Sequence, residues 1–185
     1  MFSPVLDTPR LTMQNLVPEH PEFVLGRFGH PDACRYLVDA PPVRTPADAE
    51  EIIAIHDEAE QRLRNRWVFV SKADSRPIGT LGFHVFDLPN RAIEVGYDLN
   101  PTHWGRGLMS EALTGGLDHV FSELGVFKAE AWVHVANGRS SALLVRHGFT
   151  REGTIRAKYF FDGAWHDHHL YGLLKPDRIQ DRSNS

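Results

Sequence analysis

The chain has 185 residues, 42% apolar and 24% charged, enough to bury the core of one ordinary domain. Its formal charge of -4, with acids and bases interspersed, builds no extended basic field and excludes a nucleic-acid backbone as the main partner. A single cysteine, Cys34, rules out an intrachain disulfide, and no apolar run is long enough to cross a bilayer, so the sequence predicts a soluble, cytoplasmic protein with no membrane partner.

After the opening Met1 to Pro9, residues Leu11 to Leu16 alternate apolar and polar side chains and predict a first strand that Pro18 ends. Glu19 to Phe28 and Pro46 to Leu63 read as helices, the second with Thr45 as N-cap and Pro46 at the first helical position. A proline-rich loop, Val38 to Arg44, separates them. Trp67 to Val70, Ile78 to Phe86 and Ala92 to Leu99 follow as the strands of an antiparallel meander. From Leu108 the apolar period changes, and Ala112, Leu113, Leu117, Val120, Phe121 and Leu124 mark one face of a helix that Gly125 ends. Lys128 to Val135 reads as a fifth strand, and Ser140 to His147 as a helix stopped by Gly148. Arg156 to Phe161 and Trp165 to Leu174 flank Asp162 and Gly163, a pair suited to a two-residue hairpin turn. The polar stretch from Pro176 to Ser185 reads as a loose tail.

The junction between Leu99 and Leu108 carries the most chemistry. Gly105 and Gly107 allow a tight bend and close approach of a ligand, and the helix that follows offers unpaired N–H groups to an anion. Two glycines alone also fit a plain strand-to-helix turn. A dinucleotide-binding loop would need a third glycine where Ser110 stands, and a triphosphate-binding loop would need Lys and Ser or Thr after Gly107.

The run Ile93-Glu94-Val95-Gly96-Tyr97, then Asn100, Pro101, Trp104, Gly105, Arg106, Gly107 and Leu108 through Glu111 and Ala112, resembles the cofactor motif of the GNAT superfamily of N-acetyltransferases, most closely its RimJ/RimL-type branch. A second ordered match follows at Asn137, Ser140, Leu143, Leu144, Gly148 and Phe149, continuing through Glu152, Gly153, Arg156, Gly163, Asp167 and Tyr171. With Thr8 to Leu11 and the helix start at Thr45 the likeness spans about Thr8 to Lys175, read as one domain.

The resemblance implies an α+β, three-layer fold: a twisted, mixed, mostly antiparallel sheet with helices on both faces. Its fourth strand (Ala92 to Leu99) and fifth strand (Lys128 to Val135) would splay around acetyl-CoA. It further implies that the N–H groups of Gly105, Arg106, Gly107, Leu108 and Met109 receive the pyrophosphate beside Trp104, and that Asp98 and Leu99 pair with pantetheine. Gly96 suits a bulge, which would free an N–H near Tyr97 or Asp98 for the acetyl oxygen. Trp104 and Met109 depart from the family's six-residue signature, and Met109 would narrow the phosphate pocket.

The acceptor would be a primary amine, of a protein N-terminus or of a small molecule, which must lose a proton before it attacks. Glu94 matches the family's catalytic glutamate, with Asp98 and His84 as reserves; a strand-surface ion pair is its other reading. Leu144 stands where many members carry an acidic tyrosine, so Ser140 is the candidate donor to the leaving sulfur, and Tyr159 replaces a glutamate found in some members of the branch. Asn137 suits pantetheine or a helix N-cap. These replacements leave a second possibility, a non-catalytic acyl-CoA sensor or interaction module.

Other residues carry weaker signals. His166 and His168 share a strand face, but without further ligands they do not make a zinc site, and no metal is expected. Nothing places a base beside Cys34. Arg106, Arg139 and Arg146 could meet the cofactor's 3'-phosphate or simply be solvated. Tyr159, Phe160, Phe161 and Trp165 could pack across the hairpin, line the acceptor entrance or face a second copy in a homodimer. Asp32, Asp39, Asp48, Glu50 and Glu51 could form an acidic acceptor wall suited to a polycation, or be helix-start acids.

Overall fold

The computed structural model describes residues 2–16, 21–28, 35–36, 43, 45–57 and 64–178. Its strands are β1 (Val5–Asp7), β2 (Leu11–Asn15), β3 (Asn65–Ser71), β4 (Pro77–Asp87), β5 (Ala92–Leu99), β6 (Lys128–His134), β7 (Thr150–Phe161) and β8 (Ala164–Leu174). The helices are α1 (Pro21–Phe28), α2 (Pro46–Asp57), α3 (Leu108–Ser122) and α4 (Gly138–Arg146). The strands form one sheet in the order β1-β2-β3-β4-β5-β6-β8-β7, antiparallel throughout except where β5 meets β6. Mixed, mostly antiparallel architecture is therefore as expected, with one more strand at the start, so the predicted fourth and fifth strands are β5 and β6.

Alternation along the strands separates two cores. On one face Trp67, Phe69, Leu81 and Phe83 pack with the buried side of α3, including Ala112, Leu113, Leu117 and Val120. Each large aliphatic group buried there contributes about 1.5–3 kcal/mol. On the other face Val68 packs with Val24 of α1 and with Ala49 and Ile53 of α2. Helices thus cover both faces. Thr45 caps α2 by accepting from the Asp48 N–H (3.2 Å), while the Asp48 carboxylate accepts from the Thr45 N–H (2.8 Å), a reciprocal cap that occupies one of the supposed wall acids. Glu50 and Glu51 are exposed. Cys34, Asp32, Asp39, the loop Val38 to Arg44 apart from Val43, and the predicted helical residues 19–20 and 58–63 lie outside the described residues.

The packed domain is longer than predicted at both ends. Phe2 is buried against Trp67 and Phe83, with ring centroids 5.7 and 6.2 Å away. The Ser3 N–H donates to His119 Nε2 (3.1 Å), and the Trp67 indole N–H donates to the Ser3 carbonyl (2.9 Å). At the other end, residues 175–178 form a helical turn, and Arg178 is ion-paired to Asp118 at 2.6 Å, so the start of the predicted tail is anchored. The final hairpin turns at Asp162 and Gly163, whose φ values of 48° and 74° are the positive pair that the sequence implied.

Candidate active site

Strands β5 and β6 pair over only three positions, Ala92 with Lys128, Ile93 with Ala129 and Glu94 with Glu130. Beyond Glu94 they separate, and a wedge opens in the middle of the sheet. Hydrogen-bond phase decides which main-chain groups line it. The Asn100 N–H donates to the Ile78 carbonyl (2.8 Å), so Asp98 and Gly96, in the same phase, turn their main chain to β4. Val95, Tyr97 and Leu99 turn theirs into the wedge. On the far side the Val135 N–H bonds the Asp167 carbonyl (3.2 Å), which leaves Trp132 and His134 facing inward.

This phase corrects two expectations. Asp98 has its main chain in the β4 ladder, so it has no N–H to offer pantetheine or an acetyl oxygen, whereas Tyr97 and Leu99 do. The bulge expected at Gly96 is absent: register runs unbroken through Gly82 with Gly96, and the irregularity lies between His84 and Asp87, where Val85 adopts φ 51°. The N–H groups are freed by the splay of β6 instead. Gly96 is small for a different reason, since a Cβ there would press to 3.2 Å from the His84 ring.

The glycine turn follows the unpaired end of β5. Asn100 caps a short 3-10 turn, Pro101–His103, by accepting from the Thr102 N–H (3.1 Å). Trp104 follows, and its indole N–H donates to the Leu99 carbonyl (2.9 Å), which takes up one of that oxygen's two lone pairs. Gly105 and Gly107 both adopt φ 74°, the left-handed region that disfavours any side chain, and Gly107 caps α3 without a side-chain hydrogen bond. Leu108 and Met109 open the helix with unpaired N–H groups while their side chains are buried in the core. Met109 thus belongs to the core cluster that packs under the sheet.

Arg106 is exposed, and its carbonyl accepts from Arg10 Nη1 (2.8 Å). Arg10 is in turn clamped by Glu111 of α3, which takes its N–H at 2.7 Å and its Nε at 2.6 Å, while the Thr8 hydroxyl donates to the same carboxylate at 2.6 Å. Burial opposes the Glu111 charge, but these donors outweigh it and hold the carboxyl below the usual glutamate range. The segment Thr8 to Leu11 thus braces the glycine turn.

Glu94, half-buried, lies on the sheet face that carries Val68, as do Gly96 and Asp98, because Val68 opposes Thr80 and Thr80 opposes Asp98. It is the last β5 residue paired with β6, and His84 Nε2 lies 3.7 Å from its carboxylate. Lys128 bonds Glu130 (2.7 Å) and Glu152 (2.8 Å) beside it. Burial works against the Lys128 charge, but the two carboxylates outweigh it and raise its ammonium above the ordinary lysine range. The Asp98 carboxylate is buried, accepts a short hydrogen bond from Thr80 and sits 3.9 Å from Arg66, which also donates to Thr80 (2.8 Å). Asp98 is a structural anchor of this polar cluster.

Across the wedge, Asn137 caps α4 by accepting from the Ser140 N–H at 3.2 Å, which leaves its amide donors unspent. The Ser140 hydroxyl meets the Tyr97 hydroxyl at 2.8 Å. Leu144 is fully buried. The Arg139 guanidinium stacks 4.4 Å over the Trp104 ring and joins the start of α4 to the glycine turn. Ser110 and His147 join α3 to the end of α4 at 2.7 Å.

A sequence profile described as "Acetyltransferase (GNAT) domain" matches residues 10–150. The uncharacterized N-acetyltransferase p20 of Bacillus licheniformis is 31% identical over 92% of this chain and 96% of that protein. The chain belongs to the GNAT acetyltransferase family. A ribosomal-protein-serine acetyltransferase of Escherichia coli is 26% identical over 71% of this GNAT chain and 73% of its own length. The solved structure of RimL, a ribosomal L7/L12 alpha-N-protein acetyltransferase in complex with CoA, has the same fold, with a TM-score of 0.84 at 20% identity over 92% of this chain and 97% of that one.

Within this GNAT fold, residue patterns left three features unassigned: the Arg10–Glu111 clamp, the Tyr97–Ser140 pair and a histidine chain. Ala136 N–H donates to His134 Nδ1 (3.1 Å), so His134 carries its proton on Nε2, facing His166 Nδ1 (3.1 Å). Burial and the neighbouring His166 lower the His134 pKa, and burial likewise lowers that of His168. Among the described residues no group of three or more His, Cys, Asp or Glu could hold a metal ion. Phe160 and Trp165 pack on each other at 5.3 Å on an exposed face, whereas Phe161 stacks on His166 at 3.8 Å. No helix among the described residues is long and apolar enough to cross a membrane.

Proposed function

We propose that this GNAT acetyltransferase moves the acetyl group of acetyl-CoA to a primary amine by direct attack in a ternary complex. The observation that carries the reading is the end of β5–β6 pairing at Glu94, past which both strands run on and β5 leads to the start of α3, where no side chain caps the helix. Acetyl-CoA supplies an acyl group activated as a thioester. The N–H groups of Gly105, Arg106, Gly107, Leu108 and Met109 would bind its pyrophosphate, and the Leu99 N–H and the Asn137 amide its pantetheine arm.

Glu94 takes the amine proton, directly or through one water, and its place at the narrow end of the wedge supports that role. The Tyr97 N–H faces the acetyl oxygen that gains charge during attack. Holding both reactants in one cleft supplies the rest of the acceleration, with no covalent enzyme intermediate. A protein amine, at an N-terminus, is the favoured acceptor; the name of the Escherichia coli relative, a ribosomal-protein-serine acetyltransferase, supports a protein as acceptor. Small polyamines form the comparison arm of the test. The lone Cys34 fits a cytoplasmic setting.

Calorimetry with CoA and acetyl-CoA, followed by thiol-release assays over N-terminal peptides and polyamines, tests the reading. Glu94→Gln is expected to lower kcat by about 10²–10⁴-fold at unchanged CoA affinity and to flatten the acidic limb of the pH profile. Absence of any heat with CoA or its acyl forms would refute the assignment.

A further inference from the structure

The GNAT tyrosine missing at Leu144 has a counterpart on the facing strand. Tyr97 projects from β5, and its hydroxyl lies 2.8 Å from the Ser140 hydroxyl at the start of α4. A serine in a first helical turn ordinarily bonds its own backbone, yet the Ser140 hydroxyl meets that of Tyr97. Two O–H donors therefore share one hydrogen bond, and one donor is left over.

Burial decides which. Tyr97 is partly buried, and burial, partly offset by the Ser140 hydrogen bond, pushes its phenol above the ordinary tyrosine range. The phenol stays protonated, and the Ser140 oxygen 2.8 Å away is the acceptor within its reach. Ser140 then accepts from Tyr97, and its own proton is directed elsewhere.

We infer that Tyr97 is a positioning residue that fixes the Ser140 hydroxyl as the hydrogen-bond donor to the departing thiolate. The inference rests on the acetyl-CoA reading above. When the acetyl carbon–sulfur bond breaks, the electron pair goes to sulfur, and Ser140, polarised by Tyr97, stabilises the charge. The phenol is too weak an acid to surrender its proton. The thiolate acquires one from solvent on release, and the proton lost by the amine leaves through Glu94.

Tyr97→Phe, Ser140→Ala and the double variant test this, with circular dichroism melting to verify folding and Ser140→Thr to restore a hydroxyl. Each single change is expected to lower kcat by about tenfold or more, with CoA affinity unchanged. The double variant should be no worse than Ser140→Ala, because the two groups act as one unit. A second readout does not need turnover: the thiol of bound CoA, titrated by ultraviolet absorbance, should ionise about one pH unit lower in the wild type than in Tyr97→Phe or Ser140→Ala, and Ser140→Thr should recover much of the difference. Wild-type kcat and thiol titration in a folded Tyr97→Phe that binds CoA would overturn this inference alone, while absence of CoA binding in the wild type would overturn the cofactor reading beneath it.

Discussion

Replacing Glu111 by alanine removes the acceptor of three hydrogen bonds, from the Thr8 hydroxyl, the Arg10 N–H and the Arg10 guanidinium. A hydrogen bond to a charged group is worth about 1.5–3 kcal/mol when sheltered. The guanidinium is 51% exposed, so that arm is discounted to about 0.5 kcal/mol. Water also recovers part of the other two, and the net loss comes to about 2 kcal/mol. For a chain of this size that corresponds to a Tm lower by about 4–8 °C. Arg10 also holds the Arg106 carbonyl, so CoA affinity should weaken about fivefold, roughly 1 kcal/mol.

The pH dependence gives the sharper check. The folded pKa of Glu111 is depressed below its ordinary value of 4.5, so its contribution is full above the unfolded pKa and fades as pH falls through the folded one. The gap in Tm between wild type and Glu111→Ala, followed by circular dichroism, should be widest near neutrality and close on acidification below about pH 4. Equal melting at neutral pH, or a gap that persists unchanged to about pH 3, would show that the clamp carries no stabilising charge.

Two further substitutions probe the turn and the core. Gly107→Ala places a side chain at φ 74°, where a Cβ meets only Arg10 at 3.5 Å; the cost is backbone strain of about 1–2 kcal/mol, expected to appear as roughly tenfold weaker CoA binding by calorimetry. Wild-type affinity would mean the left-handed turn is not what holds the phosphate. Gly116→Ala drives a Cβ into Leu81 and to 3.1 Å from Phe83. Overpacking should outweigh alanine's better helix propensity and lower the urea midpoint by the equivalent of about 1–3 kcal/mol at unchanged m-value.

Patterns with a period or a local turn were legible in the sequence. The α3 face repeats at three and four, β5 ends where its alternation ends, and Asp162-Gly163 specifies its own turn. β1 has three residues and no period to show, and the first half of β7 escaped because it is an edge strand, exposed almost throughout. Gly96 was misjudged because a glycine in a strand signals either a bulge or a close neighbour, and only the His84 ring distinguishes them. Arg10 and Glu111 lie 101 positions apart, and Tyr97 and Ser140 lie 43 apart. No spacing rule reaches that far, so the parts of the site that consist of long-range side-chain pairs became visible only when the strands were in register.

The seat of Phe2 bears on the order in which the chain folds. Its neighbours Trp67, Phe83 and His119 arrive much later in synthesis, so this end must wait, unpaired, until the middle of the sheet and α3 exist to receive it. A bulky group held just ahead of Phe2 during that step would obstruct the late closure.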